Sequence, residues 1–175
     1  MPLLILAVIA LVGGLIQTRR HRGQGTLAAD TMLVWWFVVA VGLGGLLGAG
    51  YHLFDGPATA EEIGYTRGDG GFQYENAMGD LAIAVAALLA ARFRGHFWLA
   101  LLIILSIQFL GDAGGHLYFW LSEGDTEPYN VGVPLAMDFV VPVVAAIFYT
   151  QSWRGGGDAR PHRTAGIPAA AGGTS

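Results

Sequence analysis

The sequence predicts an all-α integral membrane protein, a helical bundle of about five transmembrane helices. Three observations predict this class. Of its 175 residues, 54% are hydrophobic and 13% are charged, whereas a soluble domain carries about 25% charged residues. Five apolar stretches approach the ~20 residues that cross ~30 Å of hydrocarbon. Eight of the nine arginines lie on one side of these stretches, as expected for a multi-pass protein.

The five predicted spans follow one another without an internal repeat. They are Pro2–Gln17, about Leu27–Phe54, Gln73–Ala91, Phe97–Leu121 and Val133–Thr150. The first lacks the basic segment that precedes a signal-peptide core, because its positive cluster "TRRHR" follows the apolar run instead. We therefore predict a retained N-terminal anchor beside a four-helix core.

Two other segments are predicted to lie outside the spans. The acidic segment between Asp55 and Phe72 holds four glycines after Pro57 and predicts an irregular loop. Residues 151–175 are rich in Gly, Ala and Pro without a hydrophobic period, which predicts a disordered tail. Residues 1–150 are thus predicted to form a single transmembrane helical domain.

The positions of the arginines predict the orientation of the bundle. They follow span one, join spans three and four, and occur in the tail, at Arg19, Arg20, Arg22, Arg92, Arg94, Arg154, Arg160 and Arg163. The opposite loops carry seven acidic residues and the single Arg67. The positive-inside rule then places the N-terminus outside and the C-terminus in the cytoplasm. We predict a multi-pass protein of the inner (plasma) membrane.

Composition also excludes several classes of function. The chain has no cysteine, which excludes disulfides, thiolate metal sites and cysteine nucleophiles. Nothing resembles a phosphate-binding loop or a nucleophile elbow, and the acidic outer loops would repel nucleic acid. The lipid bilayer is therefore the predicted partner, with no nucleic acid, and a homo-oligomer stays open.

Small residues recur at helical spacing in the predicted spans. Gly44 and Gly48, and again Gly111 and Gly115, are four apart as in GxxxG contacts. Ala82, Ala86 and Ala90 repeat the same spacing. We expect these positions to let the helices approach one another closely.

Ionisable residues gather in the outer third of four spans. Asp80 lies in span three, Asp112 and His116 lie four apart in span four, and Asp138 lies in span five. A carboxylate at the bilayer centre costs roughly 2.5–3.5 kcal/mol on insertion scales, so something must offset these charges. No arginine lies in spans three to five. The three carboxylates must therefore be protonated, hydrated or bound to a cation.

Three further polar residues flank this cluster at the same level. His52 ends span two, and Glu75 and Asn76 begin span three. Glu75 and Asp80 differ by about 140° around a helix, so they are poorly placed to bind one small ion together. The predicted ligand-binding set is Asp80, Asp112, His116, Asp138 and Glu75, with Asn76 and His52 supporting it.

Three sequence landmarks resemble those of a family of small, functionally uncharacterised bacterial integral membrane proteins. They are "YENAMGDLAIA", "GDAGGHLYFWL" followed by "YNVG", and "MDFVVPVV". The resemblance implies a glutamate and an amide or acid five residues later at Glu75 and Asp80. It also implies a glycine-flanked His116 and an Asp138 that precedes a proline. It covers roughly residues 72–149 and supports the membrane bundle and its polar cluster, without implying an activity.

Four functions remain open from the sequence. The first is an outward-facing pocket for a divalent cation, with Mn, Fe or Zn suited to carboxylate and imidazole ligands, or for a small polar ligand. The second is a proton-linked transporter or channel subunit, although the inner halves of spans three to five are nearly all apolar. The third is an enzyme that uses His116 as a general base. The fourth is a structural protein whose polar network locks the bundle.

Overall fold

The computed structural model describes residues 2–22, 28–65 and 70–156, which form helices and no strand. The elements in chain order are α1 (Pro2–Arg20), α2 (Ala28–Trp35), the π-helical segment π1 (Trp36–Leu43), α3 (Gly44–Phe54), α4 (Gly56–Ile63), α5 (Gly70–Leu89), α6 (His96–Tyr118), the π-helical segment π2 (Phe119–Glu123), α7 (Pro128–Val131) and α8 (Val133–Gly156). Among the described residues, these helices confirm the predicted all-α class.

Four helical stretches are long and apolar enough to cross a membrane. They are Pro2–Arg20, Ala28–Phe54, His96–Glu123 and Pro128–Gly155. The predicted third span forms α5 but is not among the four, because Gln73, Glu75, Asn76 and Asp80 make its first half polar. The described residues thus support a membrane protein with four candidate crossings, where the sequence predicted five.

Two elements differ from the sequence prediction. The segment after Asp55, predicted to be irregular, contains α4, which begins with Pro57 in its first turn and ends at the left-handed Gly64. Helix α8 continues to Gly156, six residues past the predicted end of the last span. The rest of the predicted tail, with Arg160 and Arg163, lies outside the described residues, as does Arg67.

The described arginines gather at one end of the bundle, which we call the arginine end. Helix α1 finishes with Arg19 and Arg20. Arg94, in the turn between α5 and α6, lies 3.6 Å from Asp30 at the start of α2. Ser152 of α8 donates a hydrogen bond to the same Asp30 carboxylate. The start of α2, the α5–α6 turn and the end of α8 therefore meet here, and the Asp30 carboxylate has an arginine as its partner of opposite charge.

The apolar core fills the half of the bundle next to the arginine end. Its largest fully buried side chains are Leu33, Trp36, Phe37, Leu101 and Leu105. They come from the second half of α2, the first turn of π1 and the first half of α6. This layer separates the arginine end from the opposite end, which we call the cavity end.

Small residues bring α3 and α5 together, but not at all of the predicted positions. A Cβ on Gly45 would lie 3.0 Å from Ala84 Cβ, and one on Gly48 would lie 2.7 Å from Asp80 Oδ2. Gly44 instead faces Leu3 of α1. The close contact of α3 with α5 thus uses positions three apart on α3.

The other predicted small-residue positions agree only in part. A Cβ on Gly111 or Gly115 would meet no heavy atom within 4 Å, so these glycines form no GxxxG contact with the described residues. Ala90, directly after α5, is fully buried and Ala86 of α5 packs against the apolar core, whereas Ala82 is exposed. The prediction was wrong at Gly111, Gly115 and Ala82 because spacing alone does not show which face of a helix has a neighbour.

A buried hydrogen bond joins π1 to α8 at the inner boundary of the cavity end. The buried indole of Trp36 donates to Val141 O at 3.0 Å, beside the proline inside α8, Pro142.

We expect Trp36→Phe to lower the free energy of unfolding by about 1 kcal/mol, because the hydrogen bond from the indole to the buried carbonyl is lost. Thermal unfolding in detergent measures this. Trp120→Phe, at a 42% exposed indole, is the control, and an equal loss in both variants would contradict the assignment.

Candidate functional site

A cavity of about 470 Å³ lies at the cavity end, between α3, α5, α6 and α8. Its lining combines polar and charged groups with aromatic rings. The polar and charged residues are His52, Thr59, Glu62, Gln73, Asn76, Asp80, Asp112, His116 and Asp138; the aromatic residues include Tyr51, Tyr65, Phe72, Phe109 and Tyr129. We call this space the polar cavity. No arginine is among the described residues that line it.

The first histidine unit joins α3 to α5. His52 Nδ1 lies 2.5 Å from Gln73 Oε1, and Asn76 Nδ2 lies 2.9 Å from His52 Nε2. Asp80 Oδ2 is farther, at 3.9 Å from the same Nε2. Gln73, Asn76 and Asp80 follow one another at three- and four-residue spacing, so one face of α5 presents all three to the imidazole.

The second histidine unit joins α6, α7 and α8. His116 Nδ1 lies 2.7 Å from Asn130 Oδ1, and His116 Nε2 lies 3.6 Å from Asp138 Oδ2. Asn130 is fully buried and also donates to Asp125 O at 3.0 Å. The two units have the same arrangement, with a carboxamide oxygen at Nδ1 and a carboxyl group near Nε2 of each histidine.

The hydrogen bonds indicate which ring nitrogen carries hydrogen. A carbonyl oxygen beside Nδ1 favours the tautomer with hydrogen on that nitrogen in both histidines. At His52, Nε2 then accepts from the Asn76 amide. At His116, Nε2 faces the Asp138 carboxyl group at 3.6 Å.

Asp138 itself is only 9% exposed, and its Oδ2 is buried without a hydrogen bond among the described residues. A buried acceptor without a donor is costly, by about 1–3 kcal/mol. Because this oxygen belongs to a residue that lines the polar cavity, a donor placed in the cavity is one way to satisfy it.

Asp112 lines the polar cavity together with both histidines. Its carboxylate accepts hydrogen bonds from Gln108 Nε2 at 3.0 and 3.1 Å. Asp112 is exposed although it lies about 16 Å from the end of π2 at 1.5 Å per residue. The polar cavity therefore reaches deep between the helices.

The structure brings together most of the predicted site, with two differences. His52 and Asn76, predicted as supporting residues, line the polar cavity directly with Asp80, Asp112, His116 and Asp138. Glu75 is exposed and is not part of the lining, because it points away from the face that carries Asn76 and Asp80.

Metal ligation is not supported by the arrangement. Within residues 2–22, 28–65 and 70–156, no three His, Asp or Glu side chains lie where they could hold one metal ion. The histidines bind carboxamides and pair with single carboxylates instead. The Mn, Fe or Zn site predicted from the sequence therefore has no preformed counterpart in the described part of the chain.

Sequence reasoning missed three residues of this site. Gln73 is 2% exposed and orients His52; its spacing of three from Asn76 was the available signal. Asn130 lies in a short helix between two spans, where no periodicity marks it. Tyr65 lines the cavity beyond α4, and its ring lies 5.0 Å from that of Phe119.

Tyr65 provides a hydroxyl at the rim of the cavity, outside the candidate spans. Burial, together with the carboxylates of Asp112 and Asp125, raises the pKa of its phenol. The phenol therefore stays protonated at neutral pH and keeps its O–H as a donor. A neutral donor at this position adds no positive charge to the acidic lining.

The comparisons with known proteins give a family but no relative of known activity. No curated protein matches the chain. No solved structure matches it. A family model described as a family of unknown function, DUF6790, matches residues 1–158. That match extends over the four candidate spans, α5 and every residue of the polar cavity, so the chain belongs to the DUF6790 family.

Proposed function

We propose that this protein binds a small organic cation in the polar cavity. The observation that carries the proposal is the composition of the lining: the side chains of Asp80, Asp112 and Asp138 line one cavity, and no arginine lines it among the described residues. A positively charged ligand is electrostatically complementary to these carboxyl groups. It also supplies what a carboxylate at membrane depth requires, a partner of opposite charge.

The size and walls of the cavity favour an organic ligand over a bare metal ion. Small-molecule sites occupy about 300–1,000 Å³, and this cavity holds about 470 Å³. Its aromatic rings include Tyr51, Phe72 and Phe109. Aromatic faces attract organic cations by roughly 0.5–2 kcal/mol each. Carboxylates with aromatic walls are thus complementary to an ammonium group.

The proposal includes an orientation in the membrane. The arginine end faces the cytoplasm by the positive-inside rule, so the polar cavity opens outward, and α5 forms the fifth crossing with its polar half along the cavity. In this arrangement residues 2–150 form one membrane domain of the plasma membrane. The ligand then comes from the outside, and the protein acts as a receptor or binding subunit for it.

Transport across the membrane is the second candidate, and the packing of the described residues disfavours it. The fully buried layer of Leu33, Trp36, Phe37, Leu101 and Leu105 lies between the polar cavity and the arginine end. A pathway would require this layer to separate.

Two ligands that share a shape and differ in charge test the proposed function. We expect choline to stabilise the purified protein against heat and dimethylbutanol, its neutral carbon isostere, to have no effect, because only choline carries the charge. Asp112→Asn should weaken choline binding by about tenfold, equivalent to about 1.4 kcal/mol. Equal effects of the two ligands would contradict the proposal, and stabilisation by Mn²⁺ or Zn²⁺ alone would favour a metal site instead.

A further inference from the structure

We infer that the ligand of the polar cavity is a cationic amphiphile. It enters from the lipid between α5 and α6, and its tail stays on the lipid-facing side of α6. The inference rests on the proposed function and deepens it by naming the ligand class. It has three parts: an open edge, a charge behind that edge, and an apolar track leading away from it.

The open edge is formed by glycines. Gly111 and Gly115 of α6 line the polar cavity, and a Cβ on either would meet no heavy atom within 4 Å. Helix α5 packs chiefly on α3 and π1, whereas α6 packs chiefly on α8, and α5 and α6 contact each other only weakly. The two helices are thus each held by other partners, and Gly111 and Gly115 leave open space on the α6 side of the cavity.

The charge behind the edge is Asp112. It follows Gly111 directly in the chain, it is exposed, and its carboxylate accepts hydrogen bonds from Gln108 of its own helix. An exposed carboxylate so far from the helix end must be reached by water or by a cation, since lipid alone cannot solvate it. A ligand headgroup that arrives through the glycine edge meets this carboxylate first.

The apolar track begins one turn away from the glycine edge. Ile107 is 71% exposed and lies four residues before Gly111, so the two share one side of α6. Ile103 and Ile104 continue this side toward the arginine end and are also exposed. A chain whose headgroup lies at Asp112 would extend along these isoleucines within the hydrocarbon. A ligand with one charged end and one apolar end is complementary to both Asp112 and these isoleucines. A fully water-soluble ligand would make no contact with the isoleucines.

The test uses two probes with the same headgroup on the protein in phosphatidylcholine nanodiscs. Tetramethylammonium is the headgroup alone, and decyltrimethylammonium adds one tail that partitions into the bilayer. We expect the decyl probe to bind more tightly by about tenfold or more and to displace tetramethylammonium, and decyl sulfate not to do so. Gly111→Leu should remove the advantage of the tail, because it fills the edge and alters no charge.

Gly114→Leu is the matched control, since Gly114 also has open space at its Cβ but does not line the cavity. Binding of tetramethylammonium with no gain from the tail would overturn this inference and leave the proposed function standing. Equal effects of Gly111→Leu and Gly114→Leu would also overturn it. Binding of neither probe would contradict both the proposed function and this inference.

Discussion

Asn130→Leu is expected to lower the free energy of unfolding by about 2–4 kcal/mol. Asn130 is fully buried and joins α7 to α6 and to the segment that follows π2. Its Oδ1 accepts from His116 Nδ1, and its Nδ2 donates to Asp125 O at 3.0 Å and to His116 O at 3.4 Å. Leucine leaves these groups without partners, at about 1–3 kcal/mol for each buried one.

Thermal unfolding of the purified protein in detergent measures this loss, and a double-mutant cycle with His116→Leu assigns it. If Asn130 acts through His116, the double variant should lose less than the two single losses combined, because both remove the same contact. Asn76→Leu, which removes one bond to a half-buried His52, serves as the smaller-effect comparison. A wild-type melting temperature for Asn130→Leu would show that the α6–α7 contact does not form as described.

Gly45→Leu is expected to separate α3 from α5 and to abolish ligand binding together with much of the stability. A Cβ at this position would lie 3.0 Å from Ala84 Cβ and 3.2 Å from Asp80 O. The second atom belongs to the backbone and cannot move aside as a side chain would. Overpacking costs typically about 1–3 kcal/mol and occasionally more. Asp80 and Asn76 belong to α5. Displacement of this helix should therefore also break their contacts with His52 in the first histidine unit.

The same substitution at Gly50 provides the control. Gly50 is on the same helix, and a Cβ there meets no heavy atom within 4 Å. Gly50→Leu should therefore change the free energy of unfolding by no more than about 0.5 kcal/mol. Similar melting temperatures for the two variants would contradict the close packing of α3 on α5.

Much of the helical framework could be predicted because length and apolarity are local properties. The fourth span was predicted as Phe97–Leu121 and is helical over His96–Glu123. Length alone did not show that one predicted span would be too polar to count as a membrane crossing. Helix α5 carries four polar side chains in its first half and does not qualify as a candidate span. The helix α4 was missed because the glycines after Pro57 suggested a loop, although Gly64 in fact ends the helix.

The candidate site was predictable as a cluster but not as a set of pairings. The positions of these residues along their spans predicted that Asp80, Asp112, His116 and Asp138 lie at a similar depth in the membrane. All four line the polar cavity. Asp112 and His116 lie four apart on one helix, yet the partner of His116 Nδ1 is Asn130 on another element. Helical spacing describes one helix, whereas the partners of a buried imidazole come from neighbouring helices whose rotation the sequence does not state.

Binding of radiolabelled choline to four purified variants tests the central claim most directly. The variants are Asp80→Asn, Asp112→Asn, Asp138→Asn and, as the control, Glu75→Gln, which neutralises an exposed carboxylate of α5 outside the cavity lining. An organic-cation site in the polar cavity predicts weaker binding in each of the three cavity variants, by about tenfold for Asp112→Asn, and wild-type affinity for Glu75→Gln. Equal affinity in all four variants, or loss only in Glu75→Gln, would contradict it.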